Sequence, residues 1–254
     1  MSNHEHPSDR TDQVFIEDAE VLAQSAEAGQ FILRLKAPKC ASAALPGTLV
    51  HLSSHEANST VHAAPIMRAD PERGWIEVLY RADSEQGTIA KMRRGDRLSV
   101  RGPTGRAFRL DPQRQRALLV GHGLGMAPVV FLAERLREQT DRDWTSLVLL
   151  ESDSPFPFRA RPSTIMVEGM PEGTIACMPM LDEWGVPSRL ASLRGDPGCY
   201  EGSVVDLATA WLMSLDSEVL TEVEIFACGP GAMLQASAQI TERFGVSSQL
   251  LGLG

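Results

Sequence analysis

Residues 117–128 read Ala-Leu-Leu-Val-Gly-His-Gly-Leu-Gly-Met-Ala-Pro: an apolar run enters a glycine turn and leaves it as a helix. Gly121, Gly123 and Gly125 lack the Cβ that would hold a pyrophosphate away from backbone N–H groups. The helix that opens at Met126 and Pro128 presents its positive end at the same place. A second turn of this kind follows Glu224-Ile225-Phe226-Ala227-Cys228, where Gly229 and Pro230 lead into a helical stretch from Gly231 to Phe244. In an open parallel sheet ligands bind beyond the carboxyl ends of the strands, so the two turns are expected to share one crevice. A tight strand-to-helix turn without a ligand has the same glycine pattern. The second turn is what favours a nucleotide.

Other reactive side chains offer less. Cys40, Cys177, Cys199 and Cys228 are scattered, without the close pairs that chelate zinc or an iron–sulfur cluster, so no metal site is expected. No paired-carboxylate or serine–histidine–aspartate set is evident. Cys228 at a buried strand end reads either as packing or as a small polarizable group beside a reacting carbon. Glu151, after a strand, could accept hydrogen bonds from an adenosine ribose, whereas Arg159 and Arg161 could hold a 2′-phosphate. His122 reads as a phosphate donor or as an ordinary turn histidine.

The elements that must position these groups fall into two halves. Val14–Ala23, Phe31–Lys36, Thr48–Ser53, Trp75–Arg81 and Arg97–Val100 read as short strands, interrupted by a helical look from Gln86 to Met92, which suggests a small antiparallel barrel. Beyond the charged linker Leu110–Arg116 the rhythm becomes strand then helix: Ala117–Val120, Ala127–Glu138, Ser146–Leu150, Ser203–Met213 and Val223–Ala227. The expected fold is a β-barrel followed by a doubly wound parallel-sheet α/β domain. Residues 1–12 would be a frayed start, 13–110 the barrel and 111–254 the nucleotide domain.

At 254 residues and 43% apolar content the chain can bury a substantial core. A net charge of −9 argues against a nucleic-acid binder, whose affinity comes from clustered Lys and Arg. No apolar run approaches the roughly 20 residues needed to cross a bilayer, and Met1–Asp12 lacks a signal-peptide core, so a cytoplasmic location is expected.

The order of Pro46-Gly47, Ala64-Pro65-Ile66, Tyr80-Arg81, Gln86-Gly87-Thr88, Gly102-Pro103-Thr104-Gly105, Gly121 to Pro128, Gly195 to Val204 and Cys228-Gly229-Pro230 resembles the ferredoxin–NADP reductase superfamily. Within it, the chain is most similar to the electron-transfer subunits of dihydroorotate dehydrogenase. That resemblance implies FAD on the barrel, NAD(P)H, with NAD favoured, on the second domain, and hydride passing between them. It also implies electrons leaving through a [2Fe–2S] cluster to a catalytic dihydroorotate dehydrogenase chain in pyrimidine biosynthesis. By the same resemblance Pro65 and Ile66 line the flavin, Gly87 and Thr88 meet its pyrophosphate, and Cys228 lies beside the nicotinamide.

Two departures weigh against the full set of cofactors. Where the family has Arg-Pro-(Leu/Ile)-Ser, this chain has Ala64-Pro65-Ile66-Met67, which removes a charge-assisted bond and a hydroxyl. Arg68 would point away unless the strand bulges, and His62 or Arg81 are the other candidates to compensate. No cysteine follows Cys228, so no [2Fe–2S] ligation by a later segment is expected. The expected function is NAD(P)H-linked flavin oxidoreduction as an electron-transfer subunit. The alternative is a non-catalytic relative that keeps the scaffold to bind a nucleotide or a partner.

Overall fold

A computed structural model describes residues 13–27, 29–56, 59–81, 88–111, 114–139 and 144–253. The first half holds β1 (Phe15–Glu27), β2 (Gln30–Lys36), α1 (Pro38–Ala43), β3 (Leu49–Ser53), β4 (His62–Asp70), β5 (Trp75–Arg81) and β6 (Arg97–Thr104). These six strands close into an antiparallel barrel in the order β1-β2-β5-β4-β3-β6. Alternation explains the closure: Leu33 and Leu35 of β2, Val50 and Leu52 of β3, Ile76 and Val78 of β5, and Leu98 and Val100 of β6 all turn into one buried core. The periodicity reading passes over β4, because Pro65 interrupts it and its residues 64–67 are buried without alternation.

The second half holds β7 (Arg116–His122), α2 (Met126–Glu138), β8 (Thr145–Glu151), β9 (Arg161–Pro162), β10 (Ala176–Cys177), α3 (Pro179–Glu183) and β11 (Ser188–Ala191). It continues through α4 (Val204–Met213), α5 (Ser217–Leu220), β12 (Val223–Gly229), α6 (Gly231–Phe244) and β13 (Ser247–Gly252). Five parallel strands lie in the order β11-β8-β7-β12-β13, which places the reversal of winding between β7 and β12. Both faces are covered. Leu119, Phe226 and Leu150 pack with α2 on one face, while Leu118, Ile225 and Leu149 pack with α4 and α6 on the other. This two-sided burial is why β7, β8 and β12 read as unbroken apolar runs. Among the described residues, no helix is long and apolar enough to cross a membrane.

The barrel meets the sheet through α2, which lies along β4. Here β4 bulges: Ile66 pairs with Val78 and Arg68 with Glu77, leaving Met67 as the extra residue. The bulge turns Arg68 toward α2, where its guanidinium lies 2.8 Å from Glu134 Oε1 and 3.4 Å from Glu77 Oε2. Arg34 donates to the other oxygen of Glu77 at 2.7 Å, and Arg68 stacks over Trp75 and Trp184. A second tie joins Gln30 Nε2 to Ser154 Oγ (3.0 Å) and to the Pro155 carbonyl (2.7 Å) in the loop after β8.

Burial pushes the Glu134 carboxyl above its ordinary value of 4.5, against the pull of Arg68. Removing the partner should therefore be costly. Arg68→Ala is expected to lower unfolding stability by about 2–3 kcal/mol in urea titrations near neutral pH, because it strands buried carboxylate, whereas Arg73→Ala, at a side chain 80% exposed, should change it by less than about 0.5 kcal/mol. Because Glu134 holds its proton more tightly folded than unfolded, its contribution declines as pH rises past about 4.5, and Glu134→Gln should remove that decline.

Candidate functional site

β7 ends at Gly121 and His122, a single 3-10 turn spans Gly123–Gly125, and α2 starts at Met126. In β12, Cys228 stands opposite Gly121, so the start of α6 comes up beside that turn. Gly125 makes this possible: any Cβ there would run into the carbonyl of Cys228. Gly123 has a left-handed φ of +60°, and nothing lies within 4 Å of where its Cβ would stand, although the residue is buried. Gly231, exposed at the first position of α6, is equally unobstructed.

Among the three described helices of ten residues or more, two starts differ from the third. Neither α2 nor α6 has a side-chain cap on its first turn. α4, by contrast, is closed by its own residues: the Ser203 hydroxyl accepts from the Asp206 N–H at 3.1 Å, and Glu151 Oε2 accepts from the Val204 N–H at 2.8 Å. The 3-10 turn Gly123–Gly125, which runs into α2, and the start of α6 thus bring N–H groups without side-chain caps to neighbouring strand ends at the switch point. Met126 and Pro128 shape this start without offering a free donor, since Met126 N–H bonds to the Gly123 and Leu124 carbonyls, proline has no N–H, and both side chains are buried. Gly229 lies at the strand end with His122 Cβ only 3.1 Å from its own missing Cβ, and Pro230 stands exposed as the residue preceding α6.

Glu151 is buried and occupied as the cap of α4. The carboxylate left at the surface is Asp153, 69% exposed, which sequence reading did not single out. His122 lies between them, Nδ1 3.8 Å from Glu151 and Nε2 3.1 Å from Asp153, although the latter approach is off the hydrogen-bond direction. These three groups are close enough for one cation, with ligand atoms within 4.8 Å of one another. The two ring nitrogens nevertheless face different carboxylates. Of the two arginines considered for a 2′-phosphate, Arg161 lies 3.5 Å from Asp182 and 3.4 Å from Glu183, and Arg159 is exposed.

Cys228 is fully buried, and burial pushes its thiol up to about 12, so it is neutral at physiological pH. It belongs to the cluster formed by Met67, Leu79, Phe108, Met126 and Phe226, beneath the barrel.

The barrel side does not suit a flavin as the resemblance implies. Ala64 and Ile66 point into the barrel interior, Ala64 paired with Val50 and Ile66 with Val78, and both are fully buried. Pro65 is buried beside them, and Met67 is packed under both halves of the molecule. Arg68 is committed to Glu134 and Glu77, although the strand does bulge. His62 packs edge-on against Tyr80 at 5.6 Å, and Arg81 is exposed. Gly87 lies outside the described residues, and the Thr88 hydroxyl donates to Glu56 at 3.0 Å, before a 3-10 turn of three residues, Ile89–Lys91.

No family model matches the chain. It is 30% identical over 208 residues to the dihydroorotate dehydrogenase B (NAD(+)) electron transfer subunit of Shouchella clausii, a match covering 78% of this chain and 68% of that protein. Against the subunit of the same name from Desulforamulus reducens it is 34% identical over 125 residues, so the match spans about half of that relative, 47%. Among solved structures, the ferredoxin reductase of carbazole 1,9a-dioxygenase superposes with a TM-score of 0.72 at 19% identity, over 95% of this chain and 70% of that one, and shares the barrel-plus-sheet fold. The family follows from the 208-residue match: this chain belongs to the dihydroorotate dehydrogenase B electron transfer subunits.

Proposed function

We propose that the chain is an NAD(H)-linked electron-transfer subunit that works with a catalytic dihydroorotate dehydrogenase chain in pyrimidine biosynthesis. The partner rests on the likeness to the Shouchella clausii subunit, and one observation carries the dinucleotide: the Gly123–Gly125 turn and the start of α6, neither with a side-chain cap, meet at the switch point between β7 and β12. That is an anion seat built from backbone, suited to the pyrophosphate of a dinucleotide. On this reading residues 13–110 act as the barrel domain and 111–254 as the nucleotide domain.

Bound there, a nicotinamide supplies a hydride equivalent. The chain's own part is to bind and align. Gly123 lets the phosphates approach, the N–H groups of the Gly123–Gly125 turn and of the start of α6 neutralise them, and Gly229 and Pro230 shape the far wall. Gly121 and Gly125 serve indirectly, by letting the turn pack onto α2 and β12. Asp153 stands beside the turn as a carboxylate, and Arg161 is already paired, which favours NAD(H) over its 2′-phosphorylated form. Cys228 has a positional role, because a neutral thiol is a poor nucleophile.

Three outcomes are expected. Gly123→Val should weaken NADH binding at least tenfold in a fluorescence titration, about 1.4 kcal/mol or more, with the circular dichroism spectrum retained; unchanged affinity would mean that the turn holds no phosphate. NADH should bind about tenfold or more tightly than NADPH, and the reverse order would remove the role given to Asp153. In the folded protein none of the four thiols should react quickly with a disulfide reagent at pH 8, since Cys40, Cys177 and Cys228 are buried and the half-buried Cys199 is pushed up to about 11. A fast-reacting Cys228 would contradict the neutral, positional thiol.

A further inference from the structure

We infer that this chain has no flavin seat on β4, and that any flavin with which it exchanges electrons is held by another polypeptide. The inference rests on the dinucleotide reading above for its functional setting, but its own observations lie across the domain junction. Position 64, where the resemblance calls for an arginine, faces the barrel interior against Val50 with no exposed surface. A guanidinium there would be buried in the apolar core of the barrel, beside Val50 and Ile66. The difference from the family pattern is therefore one of orientation as well as of residue type.

The outer side of β4 is closed in its turn. Met67, 3% exposed, packs with Leu79 of β5, Phe108, Phe226 of β12 and Met126, and Leu251 and Leu253 cover the same cluster. Phe108 and Phe226 meet edge-to-face at 5.5 Å, so two rings already occupy the junction. The only cation the bulge delivers, Arg68, is held by two carboxylates and two indoles. Turning it toward a ligand would leave Glu134 unpaired, and Glu134 Oε2 is already a buried oxygen without a hydrogen bond. Losing both a charge-assisted donor and a hydroxyl donor lowers affinity by about 100-fold or more before the packing is opened.

Two measurements test this on the full-length chain. Protein purified with FAD present throughout and then gel-filtered should be colourless, and added FAD should keep its fluorescence over the concentration range in which NADH binding saturates. A yellow protein that bleaches with NADH overturns the inference while leaving the dinucleotide reading intact. Uptake of neither nucleotide upholds the closed face and sinks the dinucleotide reading instead. The second measurement is Met67→Cys: its thiol should react no faster than the buried native thiols of the folded protein, and labelling at the rate of an exposed thiol would show that the face is open and overturn the inference.

Discussion

The turn at Gly123–Gly125 rests on the main chain of Cys228, and the rest of the site depends on that contact. It forces two helices on opposite faces of the sheet to begin side by side. Each helix brings several N–H groups that find no partner within its own first turn. Among the three described helices of ten residues or more, α4 alone has its start closed by side chains, those of Ser203, Asp206 and Glu151. Two starts without side-chain caps, brought together at the switch point of one sheet, point to an anion more strongly than the glycines do alone.

The barrel obeys a different constraint. A bulge in β4 places two successive side chains, Met67 and Arg68, on the face that meets α2. One fills the junction and the other pairs with Glu134, so both help to hold the two halves of the molecule together. Family membership and retention of every family cofactor are thus separate matters. On the inference drawn above, the scaffold keeps its nucleotide turns while Met67 and Arg68 of β4 serve the contact with α2.

Much of this was legible in the chain itself. Glycine turns after apolar runs are local signals, and the barrel-then-α/β order follows from a change of period near residue 110. What escaped were pairings set at long range. Glu151 looked like a ribose ligand because its partner, the Val204 N–H, is 53 residues away in sequence. Whether Arg68 could reach a ligand depended on a bulge and on Glu134, 66 residues on. Pro65 concealed β4 from a periodicity reading, β11 is only four residues long, and β13 is half-buried along its length without alternation. Asp153 had no signal beyond lying two residues past a strand end.

The most direct measurement is the amide spectrum of isotopically labelled protein as NAD+ is added. Because the account assigns the pyrophosphate to backbone N–H groups, the amides of Gly123, Leu124, Gly125 and Gly231 should shift most, and those of the capped α4 start, Val204 and Val205, should stay in place. Saturable binding that leaves the four glycine-turn amides unmoved, or that shifts the α4 start instead, would contradict it.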